Sequence, residues 1–524
     1  MTEGARSSTA AETPVWLRLA MPSGADLIFM ALLGGLLFTP LCTRLLGDAG
    51  IGWHIRTGQQ ILATHAIPRV DSFSSTMAGK PWFAWEWLYD VVVGELEASL
   101  GLNGVVWFTA AVIATAFGWM FHWLLARRTN VMVALALVLL AMSASMIHFL
   151  ARPHVVSWLF TLAWFFILDS SERDCLSGDG GSGARIWLLP PLMLVWVNVH
   201  GGFLIGFVLL GIFLIGAAWT WFRARESRIE EALQKIAAGK HARSLFKVGV
   251  LSGFASLVNP YGWKLYGHVY AYLSNRFLMD HIDEFQSPNF HGVAQKCFLV
   301  LLLITMAVLA LRGRELRLSE GLTILFAVYA ALYASRNIPV SSILLVMVVG
   351  PVVPAANLFG GFSRRMSAVD ARLGGHLWPL IAIVATLLIA ANGGRVGSSL
   401  WMDARFDPKR MPVDAVNFLE QQRPEGPVLS TDSWGGYLIY RLYPKAQVVV
   451  DDRHDLYGEE FFKSYLRTIR VETGWEDFLM EHQSSYLLLP RSSALSNVIS
   501  ENSGWKRVYE DEVSVVFVRR ANRK

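Results

Sequence analysis

Residues 48–90 read DAGIGWHIRTGQQILATHAIPRVDSFSSTMAGKPWFAWEWLYD. The stretch is a polar island between hydrophobic runs. It opens with Asp48, set directly against the end of the first apolar segment, and brings His54 and Arg56 within nine positions of that acid. Further on, Glu86 stands in an aromatic setting, Trp82-Phe83-Ala84-Trp85-Glu86-Trp87. Ionisable groups at the edge of a bilayer are costly and tend to mark a site.

The flanking composition sets the class. Of the 524 residues, 53% are hydrophobic and 17% charged, whereas soluble domains carry about 25% charged residues. Apolar runs long enough to cross a bilayer, roughly 17–25 residues, recur along the chain. This is the pattern of a polytopic α-helical membrane protein. The net charge of +5 calls for no nucleic-acid partner, because basic residues beside spans follow from topology. Cys42, Cys175 and Cys297 are far apart and form neither a metal spacing nor a disulfide framework. The first apolar run follows more than twenty mostly polar residues and lacks a small-residue cleavage site, which points to a retained span rather than a signal peptide.

The runs lie near residues 25–46, 104–125, 131–149, 155–169, 186–198, 202–222, 246–258, 296–311, 319–334, 338–356 and 375–391, so about eleven spans are expected. Segments 57–66 and 86–100 are expected to lie at the interface. Arg127-Arg128, the basic stretch 223–247, residues 312–317 and Arg364-Arg365 all follow even-numbered runs. Rich in Lys and Arg, that side is cytoplasmic by the positive-inside rule. Residues 48–90, Arg152-Pro153-His154, 198–200, 259–262, Asp283-Glu284 and Arg336-Asn337 all follow odd-numbered runs. They share the outer face with the carboxy-terminal region, an N-in/C-out arrangement. The expected parts are a cytoplasmic tail (1–24), a transmembrane domain (25–395) with first external loop 47–103, and a small extracytoplasmic α/β domain (396–524).

A site at the outer interface can take a substrate with its lipid tail in the membrane and its phosphate-linked head in water. Moving a sugar from a polyprenyl-phosphate donor needs an acid, either as base on the acceptor or as ligand to a cation. It needs cationic groups for the departing phosphate and aromatic rings beside the sugar. Asp48 suits the first task, with Glu86 or Glu284 as a second acid. His54, Arg56, Arg152, His154, His200 and Arg336 are the phosphate-binding candidates, and Trp53, Trp82, Trp85 and Trp87 the aromatic ones. An acid just after the first span, followed by an Arg-bearing amphipathic segment, resembles the GT-C superfamily of membrane glycosyltransferases. The resemblance implies that Asp48 is the catalytic or metal-binding residue and that a divalent cation, Mg or Mn, is a cofactor. The family's acid-x-acid pair here reads Asp48-Ala49-Gly50, without its second acid.

Residues 412–524 read as α/β, with strands near 428–432, 448–450 and 486–489 and a hairpin-like pair at 506–519. The line VLSTDSWGGY (428–437), then VVVDDR (448–453), looks like the catalytic subunit of oligosaccharyltransferase, where a Trp-Trp-Asp-Tyr-Gly motif precedes a strand ending in acid. Trp434 and Tyr437 align with that motif, while Gly435-Gly436 replaces its core. The resemblance implies acceptor recognition by Asp432, Trp434 and Tyr437, the acceptor being a glycan, lipid or protein, and a bacterial inner membrane with the site facing the periplasm. Plainer readings stand beside these. Trp434–Tyr437 also suits a tight turn requiring positive φ, residues 451–455 a metal cluster or a solvated strand end, and Arg336 a structural partner of Glu284 or Asp48. A lipid or solute transporter and a non-catalytic scaffold of envelope glycan assembly are the rival functions.

Overall fold

The computed structural model describes residues 20–177, 183–224, 229–353, 360–370, 376–424 and 426–520, with residues 16 and 373. The tail at 1–24 lies mostly outside the described residues, as do parts of the 223–247 stretch.

The apolar runs form helices, the one element that satisfies its backbone hydrogen bonds within a single apolar segment. Among the described residues, six helices are long and apolar enough to cross a membrane: Trp87–Ala126, Val131–His148, His154–Ser177, Gly201–Arg223, Val293–Glu315 and Ser335–Val352. Gly24–Phe38, Arg185–Trp196, Leu318–Tyr333 and Leu377–Ala391 are apolar and shorter. Two boundaries differ from the sequence reading. Segment 86–100 is continuous with the following run as one 40-residue helix, broken only at Gly101 (φ 63°), a backbone state that glycine adopts without strain. The basic stretch and the seventh run likewise merge into a single helix, Ile229–Ser256.

The carboxy-terminal region holds a four-stranded sheet of β1 (Val428–Ser430), β2 (Tyr486–Pro490), β3 (Trp505–Glu510) and β4 (Ser514–Arg519), in the order β1-β2-β4-β3. The β1–β2 pair is parallel and the others antiparallel. One face packs Val428, Leu488 and Val516 against Ala415, Val416, Leu438 and Ile439. The other packs Leu429, Leu487 and Phe517 against Tyr457, Phe462 and Phe478. The alternation follows from the two-residue period of a strand.

Two local differences from the sequence reading position the site. The strand expected at 448–450 is instead a single extended link between β1 and the first loop. The Val449 N–H donates to Val428 O (3.0 Å), the Ser75 N–H to Val448 O (2.9 Å) and the Thr76 hydroxyl to Val449 O (2.7 Å). The turn expected at 433–437 is the start of a helix, Asp432–Leu442. Gly435 and Gly436 serve close approach rather than positive φ. A Cβ at Gly436 would collide with the Ala49 carbonyl, one at Gly52 with the Gly436 carbonyl, and one at Gly435 would lie 2.5 Å from the Asp451 Cα. The Ile51–Thr64 helix and the Asp432–Leu442 helix therefore meet backbone to backbone, directly beside Asp48.

A buried ion cluster locks the same seam. Arg453 pairs with Asp71 (2.7 Å) and donates from Nε and Nη2 to Asp451 (2.8 and 2.7 Å). The Tyr457 hydroxyl donates to Asp451 (2.8 Å) and the Ser74 hydroxyl to Asp71 (2.6 Å). The guanidinium also lies over the Trp82 ring, 4.7 Å from its centre. Removing one partner of a buried pair leaves uncompensated charge and costs about 3–5 kcal/mol. Arg453→Met is therefore expected to lower the thermal midpoint of the detergent-solubilised protein sharply. An unchanged midpoint would show that the seam does not depend on this cluster.

Candidate active site

A cavity of about 500 Å³ opens where the first loop, several helix ends and the carboxy-terminal region meet. Asp48, His54 and Glu86 line it from the first loop, Arg152, His154 and His200 from helix ends, and Glu284 and Arg336 from later loops. Asp432 and Trp434 close it from the Asp432–Leu442 helix. Of the aromatic candidates Trp53 and Trp85 line this cavity while Trp82 and Trp87 do not, and ten of the twelve acid, phosphate-binding and acceptor candidates share it.

The other two lie elsewhere. Arg56 faces the opposite way, where its Nε donates to the Tyr440 carbonyl (2.8 Å) and its Nη1 to Gln59 (2.9 Å), tying the Ile51–Thr64 helix to the Asp432–Leu442 helix. Tyr437 is buried against Phe406, ring centres 4.7 Å apart, and its hydroxyl accepts from Arg441 (2.8 Å). Neither side chain reaches the cavity.

At the centre stands Arg152, between two acids. Its Nη1 is 3.2 Å from Asp48 Oδ2 and its Nη2 is 2.6 Å from Asp452 Oδ2. The remaining carboxylate oxygens are held too, Asp48 Oδ1 by the Gly50 N–H (2.8 Å) and Asp452 Oδ1 by the Trp53 indole N–H (3.0 Å). Against their burial, the neighbouring carboxylates hold Arg152 firmly protonated. Burial raises the Asp452 carboxyl, against the pull of Arg152. A second pair joins Arg336 to Glu284 (3.2 Å). Although buried, Glu284 is drawn down to about 2, chiefly by Arg336. A third joins His454 to Asp432 (2.9 Å), which also accepts from Tyr465 (3.2 Å). Asp452, His454 and Arg410 are cavity residues the sequence reading did not assign. The run 451–455 was visible there, but its partners stand far away in the chain. Among the described residues, Arg410 makes no ion pair, and it lies at the cavity rim near Gly47.

Glu86 sits between two imidazoles, its Oε2 3.9 Å from His54 Nε2 and its Oε1 3.8 Å from His200 Nε2. His200 Nδ1 accepts from the Gly202 N–H (3.0 Å), so its proton is on Nε2, facing Glu86. His54 Nδ1 shares a short contact with Asp90 Oδ1 (2.6 Å) on the side away from Glu86. Burial pushes Glu86 up to about 8.

A divalent cation at Asp48 fits these residues poorly. The guanidinium of Arg152 already fills the space between the facing carboxylates, and among the described residues no three His, Cys, Asp or Glu side chains stand together as a metal-holding group.

No protein-family model matches the chain, and no curated protein matches its sequence. Its fold does match solved structures. The Archaeoglobus fulgidus oligosaccharyltransferase tethered to an acceptor peptide containing the NVT sequon aligns over 97% of this chain and 74% of its own, with a TM-score of 0.57 at 10% identity. The apo form of that enzyme gives a TM-score of 0.53 at 11% identity over the same shares. ArnT from Cupriavidus metallidurans bound to undecaprenyl phosphate aligns over 97% of this chain and 98% of its own at 15% identity, but its TM-score of 0.47 is too low to bear on the fold. The chain shares the overall fold of that oligosaccharyltransferase. At such identities the likeness is one of fold alone, so the chemistry must be argued from the cavity.

The environment of Glu86 has a measurable consequence. A carboxyl raised from about 4.5 to about 8 on folding binds more protons in the folded state than in the unfolded one, so its contribution to stability falls as pH rises through that window. Glu86→Gln offers the same donor and acceptor without ionising. The variant should match the wild type near pH 4.5 and become progressively more heat-stable than it toward pH 8, by thermal unfolding in detergent. A difference that does not change with pH would show Glu86 to be charged.

Proposed function

We propose that the protein is a GT-C-type glycosyltransferase that moves a sugar from a polyprenyl-phosphate-linked donor to an extracytoplasmic acceptor. The observation that carries this is the convergence of acids, guanidinium groups and tryptophans from distant parts of the chain on one cavity at the ends of apolar helices. In this role the chain crosses a bacterial inner membrane about eleven times. Its amino terminus is inside and its cavity faces the periplasm. Residues 25–395 form the transmembrane domain and 396–524 the outer domain.

Asp48 is the base. Its Oδ2 makes the longer of the two Arg152 contacts, 3.2 Å against 2.6 Å, and its side chain is 26% exposed. The acceptor group gives its proton to Asp48, and the electron pair so freed forms the bond to the anomeric carbon. The bond from that carbon to the phosphate oxygen breaks, and its pair leaves with the polyprenyl phosphate. Arg336 and Arg410 stabilise the charge on that phosphate, as guanidinium clamps do for transferring phosphoryl groups. Asp432 and Trp434 meet the acceptor, a glycan, lipid or protein, from the Asp432–Leu442 helix. Transporters hold their ionisable groups near the bilayer midplane on broken helices. Here Glu86 caps the Trp87–Ala126 helix, His154 begins the His154–Ser177 helix and His200 caps the turn at Gly201, which favours chemistry at an interface.

The test is release of polyprenyl phosphate from a panel of polyprenyl-phosphate sugars in proteoliposomes supplied with glycan, lipid and peptide acceptors. Asp48→Asn should lower kcat about 10²–10⁴-fold, the usual worth of a general base, and Arg336→Met should lower kcat as well, since it removes charge stabilisation on the departing phosphate. Full turnover by Asp48→Asn would remove Asp48 from the chemistry.

A further inference from the structure

We infer that the Arg152 guanidinium is the site's built-in cation, taking the position between Asp48 and Asp452 that a divalent metal ion would otherwise occupy. Its catalytic meaning rests on the transferase role proposed above, but the assignment itself stands on geometry.

Two facing carboxylates drawn from distant parts of a chain repel each other and call for a positive charge between them. A divalent ion would accept one or more oxygens from each acid and complete its shell with further oxygens or water. Here the two terminal nitrogens of one guanidinium divide that task, one contacting Asp48 Oδ2 and the other Asp452 Oδ2. The outer oxygens are occupied by the Gly50 amide and the Trp53 indole, so each of the four carboxylate oxygens has a protein partner. Gly50 completes the cradle. A Cβ there would collide with the Asp452 carboxylate and lie 2.6 Å from Arg152 Nη2 and 3.0 Å from Asp48 Oδ1. Only a glycine lets the backbone pass this close to all three groups.

The arrangement also accounts for Asp48-Ala49-Gly50. A local second acid is missing because the second carboxylate, Asp452, arrives from the carboxy-terminal region. The planar fork of arginine can span two carboxylates, whereas a lysine ammonium is a single compact charge. A guanidinium in this position leaves the Asp48 carboxyl group able to take a proton without a metal ion to compete for its lone pairs.

The experiment uses the full chain, purified after chelator treatment and titrated with Mn²⁺, with bound and free ion read by electron paramagnetic resonance. The wild type is expected to bind no Mn²⁺ that Asp48→Asn or Asp452→Asn removes. Arg152→Ala and Arg152→Gln, which uncover the facing acids, are expected to bind one equivalent. That equivalent should be lost when Asp452→Asn is added, and Mn²⁺ should raise the thermal midpoint of the Arg152 variants but not of the wild type. One equivalent on the wild type, abolished by Asp48→Asn or Asp452→Asn, would overturn the assignment. So would folded Arg152 variants that bind none. The wild-type arm decides the matter even if an Arg152 variant does not fold. A wild type that excludes Mn²⁺ but transfers no sugar would uphold the built-in cation while removing the transferase role.

Discussion

A guanidinium that is 1% exposed cannot stand without carboxylate partners, and Arg453 finds one on each side of a seam: Asp71 in the first loop and Asp451 in the carboxy-terminal region. Everything at the cavity follows from that seam. Closing it sets Asp452 one residue away from the clamp, facing Arg152. It also brings the Ala49-Gly50 backbone against Gly436, a contact that no larger residue would permit. The candidate site belongs to neither part of the chain alone. Its acid from the first loop, its arginine from the turn before His154 and its acid from the carboxy-terminal region meet only when the seam is closed.

The charges at the cavity fall into two kinds. Arg152, Arg336 and His454 each face a carboxylate within 3.2 Å, so the acids are held in defined positions rather than left to water. Arg410 has no such partner among the described residues and is the guanidinium most available to an incoming anion. Glu86 is set apart. It lies 3.9 and 3.8 Å from two imidazole nitrogens, with burial opposing its charge.

Much of this was legible in the sequence because topology constrains loops strongly. Loops that follow alternate spans share a face, so Asp48, Glu86, Arg152, His200, Glu284 and Arg336 could be grouped without any knowledge of packing. What failed was local orientation. Trp53 and His54 face the cavity, but Arg56 lies two residues past His54, about 200° further around a helix of 3.6 residues per turn, and so meets Tyr440 instead. Tyr437 is one turn deeper than Trp434 and is buried against Phe406. Gly435-Gly436 suggested a turn because glycine serves both positive φ and close approach, and sequence does not say which. Asp452 was visible in an acidic run, but its partner Arg152 is 300 residues away, and nothing local records that pairing.

The central claim is that this cavity receives the phosphate of a lipid-linked sugar. The most direct measurement is an experimental structure of the protein with a polyprenyl phosphate bound. The phosphate is expected within hydrogen-bond distance, about 3 Å, of Arg336 or Arg410, with Arg152 still bridging Asp48 and Asp452. A lipid phosphate held elsewhere on the protein, with these three arginines unengaged by it and the cavity empty, would contradict the account.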